Sequence, residues 1–179
     1  MGTLRLRVVR ALSVAAVIAS AGGSPACTQT KFEQEGHLMK HEEAKAEVEK
    51  LYEQTLAIVG DGWDAPSSAS WGACGKWSLG KDRDSWSRFT QRFGQLEEPP
   101  EEIAARVAEL WNGLGYAVRV VADDTLTPPR KVVSYPGYLA GTTSDGFGAL
   151  FTVGDGYADF SAGSRCVPSD PDLEGQVPS

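Results

Sequence analysis

Residues 148–162 read GALFTVGDGYADFSA. Apolar residues alternate with small or polar ones on either side of Gly154-Asp155-Gly156, and an Asp-Gly pair between alternating segments is a strong short-range hairpin signal. The reading is two antiparallel strands, Gly148 to Val153 and Tyr157 to Ala162. A period of two puts alternate residues of each strand on opposite faces.

Upstream, the period of two recurs in Ala117 to Ala122 and Lys131 to Tyr138, where Pro136 suggests an edge or a bulge. Trp71 to Leu79 and Ser85 to Phe93 read as an earlier hairpin joined by Gly80-Lys81-Asp82-Arg83-Asp84. In its second strand Trp86 faces away from Phe89 and Phe93. In its first, Trp71, Ala73, Gly75 and Trp77 share a face and Cys74 lies on the other.

Two segments have helical spacing instead. Val48, Leu51, Tyr52, Leu56 and Val59 form an apolar stripe within His37 to Val59, which Gly60-Asp61-Gly62 stops; Trp63 to Ser70 then reads as a loop. Pro99-Pro100 opens a second helix with Glu101 and Glu102 in its first turn, where acidic charge meets the positive end of the dipole. Ile103, Val107, Leu110, Trp111 and Leu114 are its stripe, and Gly113 and Gly115 mark its end. Helix, two strands, helix and four strands predict an α+β fold. The expected form is an antiparallel sheet of about five or six strands with two helices packed on one face and one disulfide.

The N-terminus has the layout of an export signal. Arg5, Arg7 and Arg10 precede the apolar run ALSVAAVIASA (11–21), and small residues continue to Cys27. The run is about half of the ~20 residues a spanning helix needs. Two cleavage readings fit Ser24-Pro25-Ala26-Cys27. In one, cleavage precedes Cys27, which carries lipid; such boxes usually have Leu where Ser24 stands. In the other, Ser24-x-Ala26 is an ordinary small-x-small site and the protein is secreted.

With Cys27 lipidated, the remaining cysteines, Cys74 and Cys166, form one pair, whereas plain secretion leaves an odd thiol. The expected division is a signal peptide (1–26), a lipidated cysteine and flexible tether (27–36), one α+β domain (37–168) and a Pro-rich, acidic, disordered tail (169–179). The expected location is the outer face of the cell membrane. The mature part has 153 residues, enough for one ordinary domain.

The chain has 17 basic and 24 acidic residues, and removing 1–26 takes away three arginines and no acid, leaving a net charge near −10. Nucleic-acid binding needs clustered Lys and Arg, so that class is excluded. No Gly-x-Ser-x-Gly, Walker-type or dinucleotide-binding glycine pattern is present. Neither Cys74 nor Cys166 sits in a Cys-x-x-Cys motif, which favours a structural pair over a redox one.

His37 and His41, the only histidines, share a helix face, and with Glu33, Glu42 or Glu43 they could hold zinc or copper. Two imidazoles at one helix end make an incomplete site, and a solvated first turn accounts for them as well. No cofactor is implied. Asp61, Asp64, Asp82, Asp84, Asp123, Asp124, Asp145, Asp155 and Asp159 sit mostly beside Gly or in predicted turns, where Asp bonds to nearby backbone. Trp63, Trp71 and Trp77 are the aromatics that could face a ligand, while Trp111 belongs to its helix's apolar stripe.

Several of these features recur together in one family. A signal ending at a cysteine, an amphipathic helix, the Trp-x-x-Cys strand (Trp71 to Cys74) and a helix running into Gly-Tyr (Leu110 to Tyr116) are four of them. The Asp-Gly-Phe hairpin (Asp145 to Phe147) and a closing Ser-x-Cys-x-Pro (Ser164 to Pro168) complete the set. With them the chain resembles the LppA-like lipoproteins of high-GC Gram-positive bacteria. The resemblance implies an envelope-anchored α+β domain with a strand-to-strand disulfide, of unassigned role, and transfers no catalytic residue. The expected function is non-enzymatic binding of an envelope protein, wall polymer or small ligand through the sheet. The alternatives are a carrier holding an apolar molecule between sheet and helices, and a secreted hydrolase using two carboxylates.

Overall fold

A computed structural model describes residues 39–64, 68–74, 83–137, 141–170 and 172. The signal, Cys27, the tether, His37 and Trp77 lie outside the described residues, as does most of the tail. The described chain is α+β, with two helices and one antiparallel sheet. No helix among the described residues is long and apolar enough to cross a membrane.

Helix α1 (His41–Val59) starts where Glu43 accepts the Lys40 N–H at 3.1 Å, and ends at Gly60, whose φ is +88°. Ala44, Val48, Leu51, Thr55 and Val59 recur every three or four residues and are its buried stripe. Helix α2 (Pro100–Gly113) has proline in its first turn, where the missing N–H would be unpaired in any case. It buries Ile103, Ala104, Val107, Ala108 and Trp111.

The strands are β1 (Ser68–Ala73), β2 (Arg83–Phe93), β3 (Arg119–Asp123), β4 (Arg130–Tyr135), β5 (Gly148–Gly154), β6 (Tyr157–Gly163) and the two-residue β7 (Val167–Pro168). The sheet order is β1-β2-β6-β5-β4-β3, with β7 pairing the start of β2. The expected late hairpin is present, with Val153 opposite Ala158; in the early pair Trp71 stands opposite Trp86, but Arg83 and Asp84, expected in the connection, belong to β2, and residues 75–82 lie outside the described residues. β1 begins at Ser68, inside the segment read as a loop, because Ser68 and Ala69 take their place in the ladder opposite Phe89 and Arg88. β4 ends at Tyr135, where Pro136 has no N–H to donate. The first tail residues are held: Ser169 Oγ donates to Asp84 at 3.0 Å and the Asp170 N–H at 3.3 Å.

Both helices pack on one face of the sheet, α1 over β2 and β6 and α2 over β3, β4 and β5. Phe151, Phe160, Trp111, Val107, Val48 and Leu51 fill that layer at 0–1% exposure. Trp111 meets Phe160 edge-on with ring centres 6.2 Å apart, a preferred aromatic geometry. Truncating Phe160 to Ala would leave a cavity at the centre of this layer and cost about 3–5 kcal/mol.

The Cys74–Cys166 disulfide joins the end of β1 to the residue before β7, with Cα atoms 5.9 Å apart. Gly146, at φ +101°, lies against it; a Cβ there would stand 3.3 Å from Cys74 Sγ and 3.2 Å from the Cys166 nitrogen, so a side chain is excluded by space as well as by backbone conformation.

Candidate functional site

Alternation in each strand gives the sheet a second face, which no helix among the described residues covers. Registers align its residues in rows across the strands. One row runs Ser70, Ser87, Gly163, Gly148 and the next Ser68, Phe89, Ser161, Leu150, Ser134, Arg119. The two rows beyond are Gln91, Asp159, Thr152, Val132, Val121 and Phe93, Tyr157, Gly154, Arg130, Asp123.

The first two rows, short of Arg119, floor a groove of about 370 Å³. One wall is built by the segment that carries Gly141 and Thr142. That segment can fold over the sheet because β5 begins with glycine: a Cβ on Gly148 would come within 2.6 Å of the Gly141 carbonyl oxygen. The opposite side carries Ser68, Ser70 and Phe89, which is 42% exposed. Ser134, Ser161 and Ser87 lie across the floor with Leu150. Gly163 leaves an open space, with no atom within 4 Å of where its Cβ would be.

Ser134 is the distinctive residue of this face. It is 2% exposed, lines the groove, and its hydroxyl has no hydrogen-bond partner among the described residues. A buried hydroxyl left unpaired costs about 1–3 kcal/mol relative to a paired one, and such groups are few in native folds. The groove is otherwise neutral. No Asp, Glu, Lys or His lines it among the described residues. Arg88 contributes only backbone, since its guanidinium lies over Tyr52 at 4.1 Å and 3.5 Å from Glu49 on the helix side. Tyr135 likewise turns its ring to Tyr116 and Phe147.

Charge collects at the far end of the same face. Arg130 donates to Asp123 at 2.9 Å, and Asp123, the last residue of β3, also accepts from the Thr125 hydroxyl and N–H where the strand runs into a turn. Asp159 sits inside β6 rather than in a turn; burial pushes its carboxyl above its ordinary range, while a Thr152 hydrogen bond and the Arg130 charge draw it back. Asp84 also lies inside a strand, β2, and is buried.

The helix side has a second polar network. Arg165 pairs with Glu47 on α1 and with Asp145 on the β4–β5 connection, and Glu47 accepts from the Tyr116 hydroxyl at 3.0 Å. Burial and then the Glu47 charge push the Tyr116 hydroxyl up. Burial opposes ionisation of Asp145, but hydrogen bonds from Thr143 and Arg165 outweigh it and hold its carboxyl low. Phe147 stacks on Tyr116 at 4.9 Å between these charges. Every strong partner in this network is another part of the fold, so it clamps the disulfide end of the domain together.

The chain matches no protein-family model, no curated protein and no solved structure.

Of the aromatics expected to face a ligand, Trp77 lies outside the described residues, and Trp71 and Trp63 are placed against the core. Trp71 is 9% exposed on the helix side, 5.5 Å from Trp86 and 4.9 Å from the His41 ring, because its register puts it on the core face of β1. Trp63 packs partly against the core, its backbone bridged to Arg92. His41 therefore meets an indole, and no group of three His, Cys, Asp or Glu among the described residues could hold a metal. The groove's aromatic is Phe89, whose position opposite in phase to Trp86 is legible in the sequence. Ser134 carries no sequence signal, since a serine in a strand says nothing of its partners.

Proposed function

We propose that the chain is a lipid-anchored envelope protein of the LppA-like type that acts as a non-enzymatic binding module, with the open side of its sheet as the ligand face. The buried hydroxyl of Ser134 inside a preformed groove, unpaired among the described residues, is the observation that carries the reading: a ligand oxygen or N–H there would give that group a partner. The export signal and the odd cysteine support anchoring at Cys27, and the tether would present the domain outward. A carrier would need space between sheet and helices, where Phe151, Phe160 and Trp111 pack instead.

Hydroxyl-radical footprinting of the intact protein with isolated envelope fragments tests this. Phe89 and Leu150 are expected to gain protection while Leu56 and Ile58, on the helix side, do not. Protection confined to the helix side, or none with any envelope fraction, would refute the open face as the binding surface.

A further inference from the structure

The chemistry of the groove narrows its ligand to one class, a step that rests on the open face being the ligand face. Its side chains are neutral: the hydroxyls of Ser70, Ser87, Ser134 and Ser161, with Phe89 and Leu150 as the apolar contacts. An anionic polymer would find no guanidinium or ammonium turned into the groove among the described residues, since Arg88 lends only backbone and Arg119 stands beyond Ser134 outside the lining, on a chain whose net charge is −7. A cationic ligand would find no carboxylate. A wholly apolar ligand would have to strip water from several hydroxyls and leave them unpaired.

An extended peptide adds to a sheet through a free strand edge. The strands across the floor, β2, β6, β5 and β4, are each paired on both sides, so their backbone groups are already engaged, and the nearest free edge is that of β1 at the groove's margin. What remains on offer is a field of hydroxyls that both donate and accept, with one aromatic ring at its side.

We propose that the groove binds a neutral oligosaccharide segment, its hydroxyls exchanging hydrogen bonds with Ser134, Ser161 and Ser87 and one sugar face lying on the Phe89 ring. Sugar hydroxyls match serine in having both donor and acceptor capacity, and the C–H face of a pyranose suits an aromatic surface. The groove's 370 Å³ falls within the range of small-molecule sites, about 300–1,000 Å³.

The test titrates the isotope-labelled full-length chain with neutral oligomers of N-acetylglucosamine and of glucose, with an acidic polyphosphate and an uncharged extended peptide alongside. A neutral oligomer is expected to shift the amide resonances of Ser87, Ser134 and Ser161 saturably. Gly163→Val sets its Cβ in the groove's open space, where no protein atom lies within 4 Å, and should weaken binding about tenfold or more while the melting temperature stays near that of the wild type. Phe89→Ala should weaken it about two- to tenfold. If the peptide or the polyphosphate shifts these resonances and no neutral oligomer does, the sugar class is wrong and the open face stands as the ligand face. If every shift falls on α1 and α2, or no neutral oligomer binds and Gly163→Val leaves envelope binding unchanged, the groove is not the site.

Discussion

The indole N–H of Trp111 donates to the hydroxyl of Thr55 at 2.9 Å, joining α2 to α1 where both residues are fully buried. The same hydroxyl donates to the Leu51 carbonyl at 2.6 Å. Thr55→Val keeps the shape and removes both bonds, leaving the indole N–H without an acceptor. The expected cost is about 1–3 kcal/mol, a fall of roughly 4–10 °C in melting temperature. Thr55→Ser keeps the oxygen and should lose less. Equal melting of Thr55→Val and wild type would mean that the bond contributes nothing.

The Cys74–Cys166 disulfide spans 92 residues and holds the two sequence ends of the sheet together. Loss of a native disulfide in a small exported domain costs about 2–5 kcal/mol. Cys74→Ser, Cys166→Ser or a reducing agent should each lower the melting temperature by roughly 10 °C. The two effects should not add, because both remove the same closure.

Asp159 gives the open face a pH signature. Its carboxyl is raised in the folded protein, chiefly by burial, so the unfolded chain gives up that proton first as pH rises. The group therefore contributes least cost below the ordinary carboxylate pKa and progressively more above it. Asp159→Asn should stabilise the protein at pH 7 and have little effect near pH 3, an outcome that paired thermal melts will show. A larger gain at pH 3 would reverse the sign assigned to this residue.

The class of fold was legible because its signals are local. Proline, paired glutamates and an apolar stripe mark α2, and Gly154-Asp155-Gly156 marks the last hairpin. The Cys74–Cys166 pairing followed from cysteine count. The site was not legible, because it is made by register. Ser134 comes to lie between Leu150 and Arg119 through ladders linking residues far apart in the chain. Trp71 lies buried on the helix side for a related reason: its face was readable, but which face the helices would cover was not. The burial of Asp84 and Asp159 ran against the turn preference of Asp, since strand position overrode it.

Anchoring is a separate prediction. Cys27→Ser should move the protein from the membrane fraction to the medium and abolish labelling by a palmitate analogue. If wild type and variant both partition into the aqueous phase of a detergent separation, Cys27 carries no lipid.

Ser134→Ala tests the central claim most directly, since it separates binding from folding. The substitution removes a buried hydroxyl that has no partner among the described residues, so stability should stay level or rise, by about 1 kcal/mol at most. Binding to isolated envelope fragments should fall about tenfold, because a hydrogen bond made only with ligand is lost. A variant that melts well below wild type, with affinity for envelope fragments unchanged, would show that Ser134 serves the fold and not a ligand.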